Sequence, residues 1–186
     1  MQVVARRQNA DVDRDYFWEV VEAARARAGG VGEVPEALVE LLQGRPLAEL
    51  VAFREVQDDL LGREAYRWDL WAAAYVINGG ASDDGFEYFL DWLMAQGRAR
   101  WEATLADPDS LADVVDPDTG DLDCEEMLHV APRAAGDEDA FWTAMPDRGE
   151  HLPPGPVGEP FDFGDRVRMR RLLPRLTAVL YAENQR

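Results

Sequence analysis

Residues 66–93, which read YRWDLWAAAYVINGGASDDGFEYFLDWL, decide the fold of this chain. The stretch contains three tryptophans, three tyrosines and two phenylalanines around a centre rich in glycine and aspartate. Glycine adopts the left-handed backbone conformation at little cost, so Asn78-Gly79-Gly80 should end one helix. Ser82 or Asp84, both good capping residues, should start the next helix. We therefore predict a helical hairpin, in which two antiparallel helices are joined by a tight turn.

The side chains of this hairpin should gather in stripes, because residues three and four positions apart share one face of a helix. The first helix should carry one stripe, and the second helix should carry two stripes and an acidic edge. The stripe of the first helix consists of Trp68, Trp71, Tyr75 and Asn78. On the second helix, one stripe consists of Phe86, Phe89, Leu90 and Leu93, and the other consists of Tyr88 and Trp92. The acidic edge consists of Asp83, Glu87 and Asp91. The turn should bring rings from both helices together beside exposed carboxylates.

The rest of the chain also has helical periodicity. Helices should cover about residues 13–28, 35–44, 47–61, 82–95 and 123–135, and should resume at Asp165 with a division at Pro174. Ser110 should cap a short helix, and another short helix is expected around residue 141. The third helix could kink at Gly62 or continue to residue 77, and the helix from residue 82 could extend to Leu105.

Residues 146–164 contain five prolines and four glycines, which predicts an ordered, non-helical strap across the surface. No segment shows the alternation typical of a strand. The predicted fold is therefore all-α: a compact single-domain helical bundle with a central helical hairpin and a proline-rich strap. We expect residues 1–12 to be a flexible N-terminus and residues 13–186 to form one helical domain.

Composition limits the class of protein. The 186 residues are 47% hydrophobic, which suits a globular fold, and no run is apolar and long enough to cross a bilayer. The N-terminus lacks the apolar segment of a signal peptide, and the lone Cys124 cannot form an internal disulfide. We therefore expect a cytoplasmic protein.

Charge narrows the choice of partners. The chain has 37 acidic residues and 19 basic residues, all arginine, for a formal net charge of -18. Such a surface repels nucleic acids and anionic membranes, so we expect a peptide, a protein or a small molecule as the ligand. Residues 166–186 are an exception, with six arginines and one glutamate. They should form a basic helix that docks on the acidic body, or a surface for an external acidic partner.

The corner of the hairpin is the candidate functional site. Tryptophan and tyrosine bury large apolar areas while offering an N–H or O–H group, which suits a ligand cleft. Carboxylates and a hydroxyl at a helix start could bind a polar ligand, hold a metal ion or transfer a proton. The binding candidates are Trp68, Trp71, Tyr75, Asn78, Tyr88 and Trp92. The catalytic candidates are Asp69, Ser82, Asp83 and Asp84.

A purely structural interpretation of the same residues stays open. Ser82 is an ordinary helix cap, and Asp84 begins a stretch with the spacing of a capping box. Asp69 lies between two tryptophans in an otherwise apolar stretch, where a buried carboxylate needs a partner. Either Arg67 or Arg98 could be that partner, which would make Asp69 part of a structural ion pair.

Two further motifs resemble metal sites incompletely. The acidic loop at residues 116–127 has the acids of an EF-hand, but Gly120 and Asp121 are in reverse order and Met127 replaces the final glutamate. Glu126 and His129 have the Glu-x-x-His spacing of a di-iron bundle, although such a site needs a second copy. The cofactor is therefore unknown, and a divalent metal ion stays a candidate.

Several short motifs carry a resemblance to a known family: Phe17-Trp18, Trp68-Asp69-x-Trp71, Asn78-Gly79-Gly80, Ser82-Asp83-Asp84-x-Phe86, Tyr88-Phe89 and Trp92-Leu93. In these motifs the chain resembles the bacterial family known as domain of unknown function 4240. That family is common in actinobacteria, and some members are fused to a domain named for its tryptophan-glycine-arginine motif. The resemblance extends more loosely over residues 158–176, where Phe161 replaces an expected tryptophan. It implies no activity, substrate or cofactor.

Two functions follow from these residues. The first is an intracellular binding module whose aromatic and carboxylate cleft at residues 66–97 recognises a ligand. The alternative is an enzyme that acts on peptides or small molecules through Asp69, Ser82, Asp83 and Asp84, either with a metal ion or by acid–base chemistry.

Overall fold

The structure, a computed structural model, describes residues 12–146 and 155–181. The α-helices are α1 (Arg14–Arg25), α2 (Val34–Leu42), α3 (Leu47–Asp59), α4 (Trp68–Ile77), α5 (Asp83–Ala95), α6 (Arg98–Ala106), α7 (Val130–Ala135), α8 (Glu138–Ala144), α9 (Arg166–Leu172) and α10 (Pro174–Leu180). Short 3₁₀ helices cover Val31–Glu33, Pro108–Asp113 and Glu125–His129, and Leu60–Ala65 is π-helical. All regular elements of these two ranges are helices and none is a β-strand, which confirms the all-α prediction. The N-terminal extension predicted for residues 1–12 lies outside the described residues, apart from Val12.

Most helix starts follow from local chemistry. The Asp13 carboxylate accepts a hydrogen bond from the Tyr16 backbone N–H at 2.8 Å and caps α1. Proline lies in the first turn of α2, where its missing N–H costs nothing. Ser82 caps α5, because its Oγ accepts from the Gly85 N–H at 3.1 Å. The predicted starts of these helices are confirmed.

The core fills with the aromatic residues that helical spacing turned inward. Phe17 packs on Phe53 with ring centroids 4.6 Å apart, and Trp18 packs on Trp101 at 5.8 Å. The largest apolar side chains with less than 2% exposure include Phe17, Phe53, Phe86, Phe89, Trp101 and Phe141. Around them α1 packs on α2, α2 and α3 pack on α7, and α10 packs on α4. Among the helices of the described ranges, none is long and apolar enough to cross a membrane.

The helical conformation is interrupted between α3 and α4 at residues 66–67, after the π-helical turn that contains Gly62. Here Arg67 is extended, with φ -137° and ψ 145°. The described part of the strap, residues 155–164, forms backbone hydrogen bonds with this non-helical segment. The Val157 N–H donates to the Tyr66 carbonyl at 2.8 Å, and the Trp68 N–H donates to the Val157 carbonyl at 3.1 Å. A long-range contact therefore fixes a boundary that Gly62 alone left undecided. The predicted non-helical strap is confirmed for these residues, and residues 147–154 lie outside the described part.

The next segment confirms one predicted helix boundary and corrects one predicted cap. α5 ends at Ala95, which confirms the helix predicted for residues 82–95, and the alternative extension to Leu105 is wrong because Gly97 adopts φ +89° and separates α5 from α6. A Cβ at Gly97 would lie 2.4 Å from Glu22 Oε1 and 2.5 Å from Arg25 Nη1, so α1 approaches the backbone closely there. The following short helix is capped by Asp107, which accepts from the Asp109 N–H at 3.1 Å, and not by Ser110.

The basic C-terminal segment docks mainly through apolar residues. Met169, Leu173 and Leu176 are buried, and the Asp109 carboxylate accepts from the backbone N–H groups of Arg175 and Leu176. The Arg175 side chain also pairs with Asp113. The predicted ion pairing between a basic helix and the acidic body is therefore seen for Arg175 of α10, whereas burial of apolar side chains supplies most of the contact.

We predict that Gly97→Ala lowers the free energy of unfolding by about 1–3 kcal/mol, because a side chain at positive φ is strained and its Cβ meets the α1 side chains. Urea denaturation measures this change. Gly120→Ala in the acidic loop is the matched control, since nothing lies within 4 Å of a Cβ built there. Equal stability of the two variants would contradict the assigned role of Gly97.

Candidate functional site

The hairpin brings aromatic rings from both of its helices together, as its sequence predicts. The Trp71 ring stacks between Trp68, at 5.4 Å and 10°, and Phe86, at 4.9 Å and 9°. The Trp71 indole N–H donates to the Ala81 carbonyl at 3.0 Å, which ties α4 to the turn. The side chains of this stack thus hold the two helices of the hairpin against each other.

The strap fills the space beside this stack. Phe163 lies 5.8 Å from Trp68, 6.1 Å from Trp71 and 5.1 Å from Tyr75, measured between ring centroids. Phe161 packs edge-on against Phe163 at 5.2 Å. The part of the aromatic cluster next to Tyr75 is therefore covered by another segment of the chain.

Three other binding candidates have structural partners. Asn78 pins the acidic loop, because its amide donates to the Leu122 carbonyl at 3.2 Å and accepts from the Leu122 N–H at 3.0 Å. Trp92 is buried against Phe89. The Tyr88 hydroxyl donates to Glu125 at 3.4 Å, and the nearby Glu125 carboxylate raises the pKa of Tyr88.

The Asp69 carboxylate has the predicted ion-pair partner, Arg67, although its side chain is 33% exposed and therefore not buried as predicted. Arg67 Nε lies 3.0 Å from Asp69 Oδ1 and Nη2 lies 2.5 Å from Oδ2, so the guanidinium binds both oxygens. Arg67 Nη1 also donates to the Leu105 carbonyl at 3.0 Å, which links α4 to α6. Arg98, the other candidate, instead pairs with Asp15 and Glu102.

The remaining catalytic candidates lie at the start of α5. The Ser82 hydroxyl is engaged in the helix cap, and Asp83 and Asp84 are exposed in the first turn. Across residues 12–146 and 155–181, no three histidine, cysteine, aspartate or glutamate side chains lie close enough together to hold a metal ion. Among these residues, the metal-dependent form of the enzyme hypothesis therefore has no ligand set.

A cleft of about 450 Å³ lies at the other end of α4, between the start of that helix, the strap and α9. Its walls combine arginines and apolar side chains with two acids: Arg67, Arg168 and Arg171; Trp68, Val157, Phe161 and Leu172; Asp69 and Glu159. Of the residues proposed from the sequence, Trp68 and Asp69 line this cleft. Ser82, Asp83 and Asp84 do not line it.

Two local features place the arginines of α9 at the cleft. The Asp165 carboxylate caps α9 by accepting from the N–H groups of Val167 and Arg168 at 3.1 and 3.0 Å. Arg168 and Arg171 are three residues apart and therefore share a helix face. The Arg168 guanidinium lies 4.1 Å above the Phe161 ring, a cation–π contact that joins α9 to the strap. Sequence reasoning missed both arginines, although their excess over acids in residues 166–186 was visible.

A buried polar network in the core was also missed. Asp91 does not extend the exposed acidic edge as predicted, because its side chain is fully buried. Gln57 Nε2 donates to Asp91 Oδ1 at 3.1 Å, and the buried Arg54 pairs with Asp58 at 2.8 Å on the same face of α3. The polar residues spaced by three and four along α3 are the signal that could have revealed this network.

Burial changes the pKa of Asp91 and of Cys124. Burial raises the pKa of Asp91 to about 8, against the opposing effects of Arg54 and Gln57. Burial and neighbouring carboxylates raise the pKa of the Cys124 thiol to about 12. Cys124 therefore stays a thiol at neutral pH, and a thiol is a poor nucleophile.

We predict that Asp91→Asn becomes progressively more stable relative to the wild type as the pH rises from 5 to 8. The folded protein keeps a proton on Asp91 up to about pH 8, while the unfolded chain loses it near the ordinary value of 3.8. The contribution of this proton is complete below the unfolded pKa and is lost as the pH rises towards 8. Asparagine has the shape of the protonated acid and does not ionise.

Urea denaturation of both proteins at several pH values measures this difference. Asp121→Asn, which changes an exposed carboxyl of the acidic loop, is the matched control and should leave the pH dependence of the wild type unchanged. A stability difference between Asp91→Asn and the wild type that stays constant from pH 5 to 8 would disprove the buried protonation.

The fold and the site define an all-α domain with a small cleft of mixed basic and aromatic character. The model of a family described as proteins of unknown function, DUF4240, matches residues 12–135, and the chain belongs to this family. No curated protein and no solved structure showed significant similarity to the chain. The family match covers α1 to α7, including Arg67, Trp68 and Asp69, and ends before the strap and α9. The looser resemblance of residues 158–176 therefore stays a prediction.

Proposed function

We propose that this protein is a binding module and that its ligand occupies the cleft between α4, the strap and α9. The observation that carries the proposal is the lining of this cleft, in which Trp68 and Phe161 stand next to arginine side chains. Ligand sites are typically concave and mostly apolar, with a few polar groups that fix the orientation of the ligand. Besides Gly158, the walls of the cleft carry four apolar and five charged side chains, so the cleft offers both kinds of group and is more polar than a typical site.

The size of the cleft favours a small molecule or the side chain of a peptide. Its volume of about 450 Å³ falls within the range of roughly 300–1,000 Å³ that is typical of small-molecule sites. Trp68 is half-buried, so it is held by its neighbours while part of its surface reaches the cleft. A rigid, partly exposed indole binds a flat apolar group with little loss of conformational entropy.

The scaffold around the cleft is fixed by contacts that a ligand does not have to form. The bidentate pair between Arg67 and Asp69 and the backbone pairing of Val157 hold two of its walls. Phe161 is held by Phe163 on one side and by Arg168 on the other. A preformed site of this kind lowers the entropic cost of binding.

We predict that Val157→Trp weakens ligand binding about tenfold or more, because an indole at this exposed position on the wall fills the cleft. The probe is a panel of flat aromatic compounds, with neutral, cationic and anionic members in equal numbers. Ligand-observed NMR of the wild type identifies the binders, and titration of the variant measures the loss.

Val167→Trp is the matched control, since Val167 is 78% exposed on α9 and does not line the cleft. Thermal denaturation of both variants checks that each is folded. The proposal fails if no compound of the panel binds the wild type, or if Val157→Trp and Val167→Trp bind the same compounds equally well.

A further inference from the structure

We infer that the ligand of the cleft is a small organic anion, a flat apolar body that carries a carboxylate, phosphate or sulfonate group. This inference rests on the proposed function, and it adds the chemical class of the ligand. Its basis is the set of charges on the cleft walls, together with the charge of the whole chain. The cleft is a basic site within a protein whose net charge is -18.

The five arginines of α9 and α10 differ in what their side chains contact. Arg175 pairs with Asp113, and the Arg166 guanidinium lies over the Tyr181 ring at 5.3 Å. Arg168 and Arg171 line the cleft, and neither forms an ion pair with any residue in the described ranges. Arg170 is exposed on α9 but does not line the cleft, so Arg168 and Arg171 are the arginines of α9 and α10 whose charge can act on a ligand there without an ion-pair partner in the described ranges.

The acids of the cleft do not cancel this charge. Asp69 binds both of its oxygens to Arg67, so that pair is close to neutral as seen by a ligand. Glu159 is an exposed residue of the strap, and it is one carboxylate against the two guanidinium groups of Arg168 and Arg171. The balance of the cleft walls is therefore positive.

The guanidinium groups are well placed for an oxyanion. The ring of Phe161 supports one face of the Arg168 guanidinium at 4.1 Å, which leaves the N–H groups at its edge for acceptors. Arg171 lies one turn further along the same face of α9. Planar guanidinium groups bind carboxylate and phosphate oxygens through paired, charge-assisted hydrogen bonds. Trp68 and Leu172 then provide apolar surface for the body of the same ligand.

The net charge of the chain restricts the size of the anion. Nucleic acids and anionic membranes extend over the whole surface and are repelled by its negative field. A small anion in the cleft lies within one Debye length, about 10 Å at 0.1 M salt, of the two arginines, and more distant acids are screened. The site therefore favours a compact ligand with one anionic group.

The test uses two fluorescent probes that differ in one group, anilinonaphthalene sulfonate and its neutral parent phenylnaphthylamine. We expect the sulfonate to bind the wild type about tenfold more tightly than the neutral parent, since its anion forms charge-assisted hydrogen bonds with arginine. Arg171→Gln should abolish most of this preference, because it should weaken binding of the sulfonate far more than binding of phenylnaphthylamine. A higher salt concentration should weaken binding of the sulfonate and not binding of phenylnaphthylamine.

Arg170→Gln is the matched control, because Arg170 is exposed on α9 next to Arg171 but does not line the cleft. Its preference for the sulfonate should equal that of the wild type. If both probes bind equally and Arg171→Gln has no effect, the anion inference is overturned while the cleft remains a binding site. If Val157→Trp leaves both probes bound as in the wild type, or neither probe binds, the cleft is not the site and both proposals fall.

Discussion

Two backbone hydrogen bonds at Val157 hold together the part of the molecule that we assign to function. They join the strap to the non-helical segment before α4, at the Tyr66 carbonyl and the Trp68 N–H. An extended Arg67 follows from this pairing, and its guanidinium then reaches both Asp69 and the Leu105 carbonyl. The same attachment places Phe163 against the aromatic stack and Phe161 beneath Arg168. The cleft lies between the strap, the start of α4 and α9, so it depends on this attachment of the strap.

Charge is distributed so that the cleft differs from the rest of the surface. The chain as a whole is strongly acidic, which disfavours large anionic partners, whereas the walls of the cleft carry two arginines without described ion-pair partners. Buried charge elsewhere is compensated: Arg54 pairs with Asp58, and Asp91 is accommodated by a raised pKa. On our proposal, the protein combines a general repulsion of anions with a local attraction at the cleft. This distribution of charge supports our proposal that the ligand is a small anion.

Local rules predicted most of the secondary structure, since a helix cap or stop involves only a few neighbouring residues. Asp13 and Ser82 cap the helices expected of them, and the turn at Gly79 lies where the glycines indicated. The same rules left two boundaries undecided: Gly97, whose conformation depends on the close approach of α1, and residues 66–67, where the interruption between α3 and α4 depends on the strap. They failed at Asp91, because periodicity shows which residues share a face and not what packs on that face.

The sequence by itself determined an all-α domain with a helical hairpin, the aromatic cluster in that hairpin and an excess of arginine near the C-terminus. It also indicated that Asp69 needs a partner. Only the tertiary structure decided that the space beside the cluster is covered by Phe163, and that the cleft lies at the opposite end of α4. The physical reason is distance along the chain. Trp68 and Arg168 line one cleft from positions 100 residues apart, and no pattern confined to a few helical turns encodes how such segments meet.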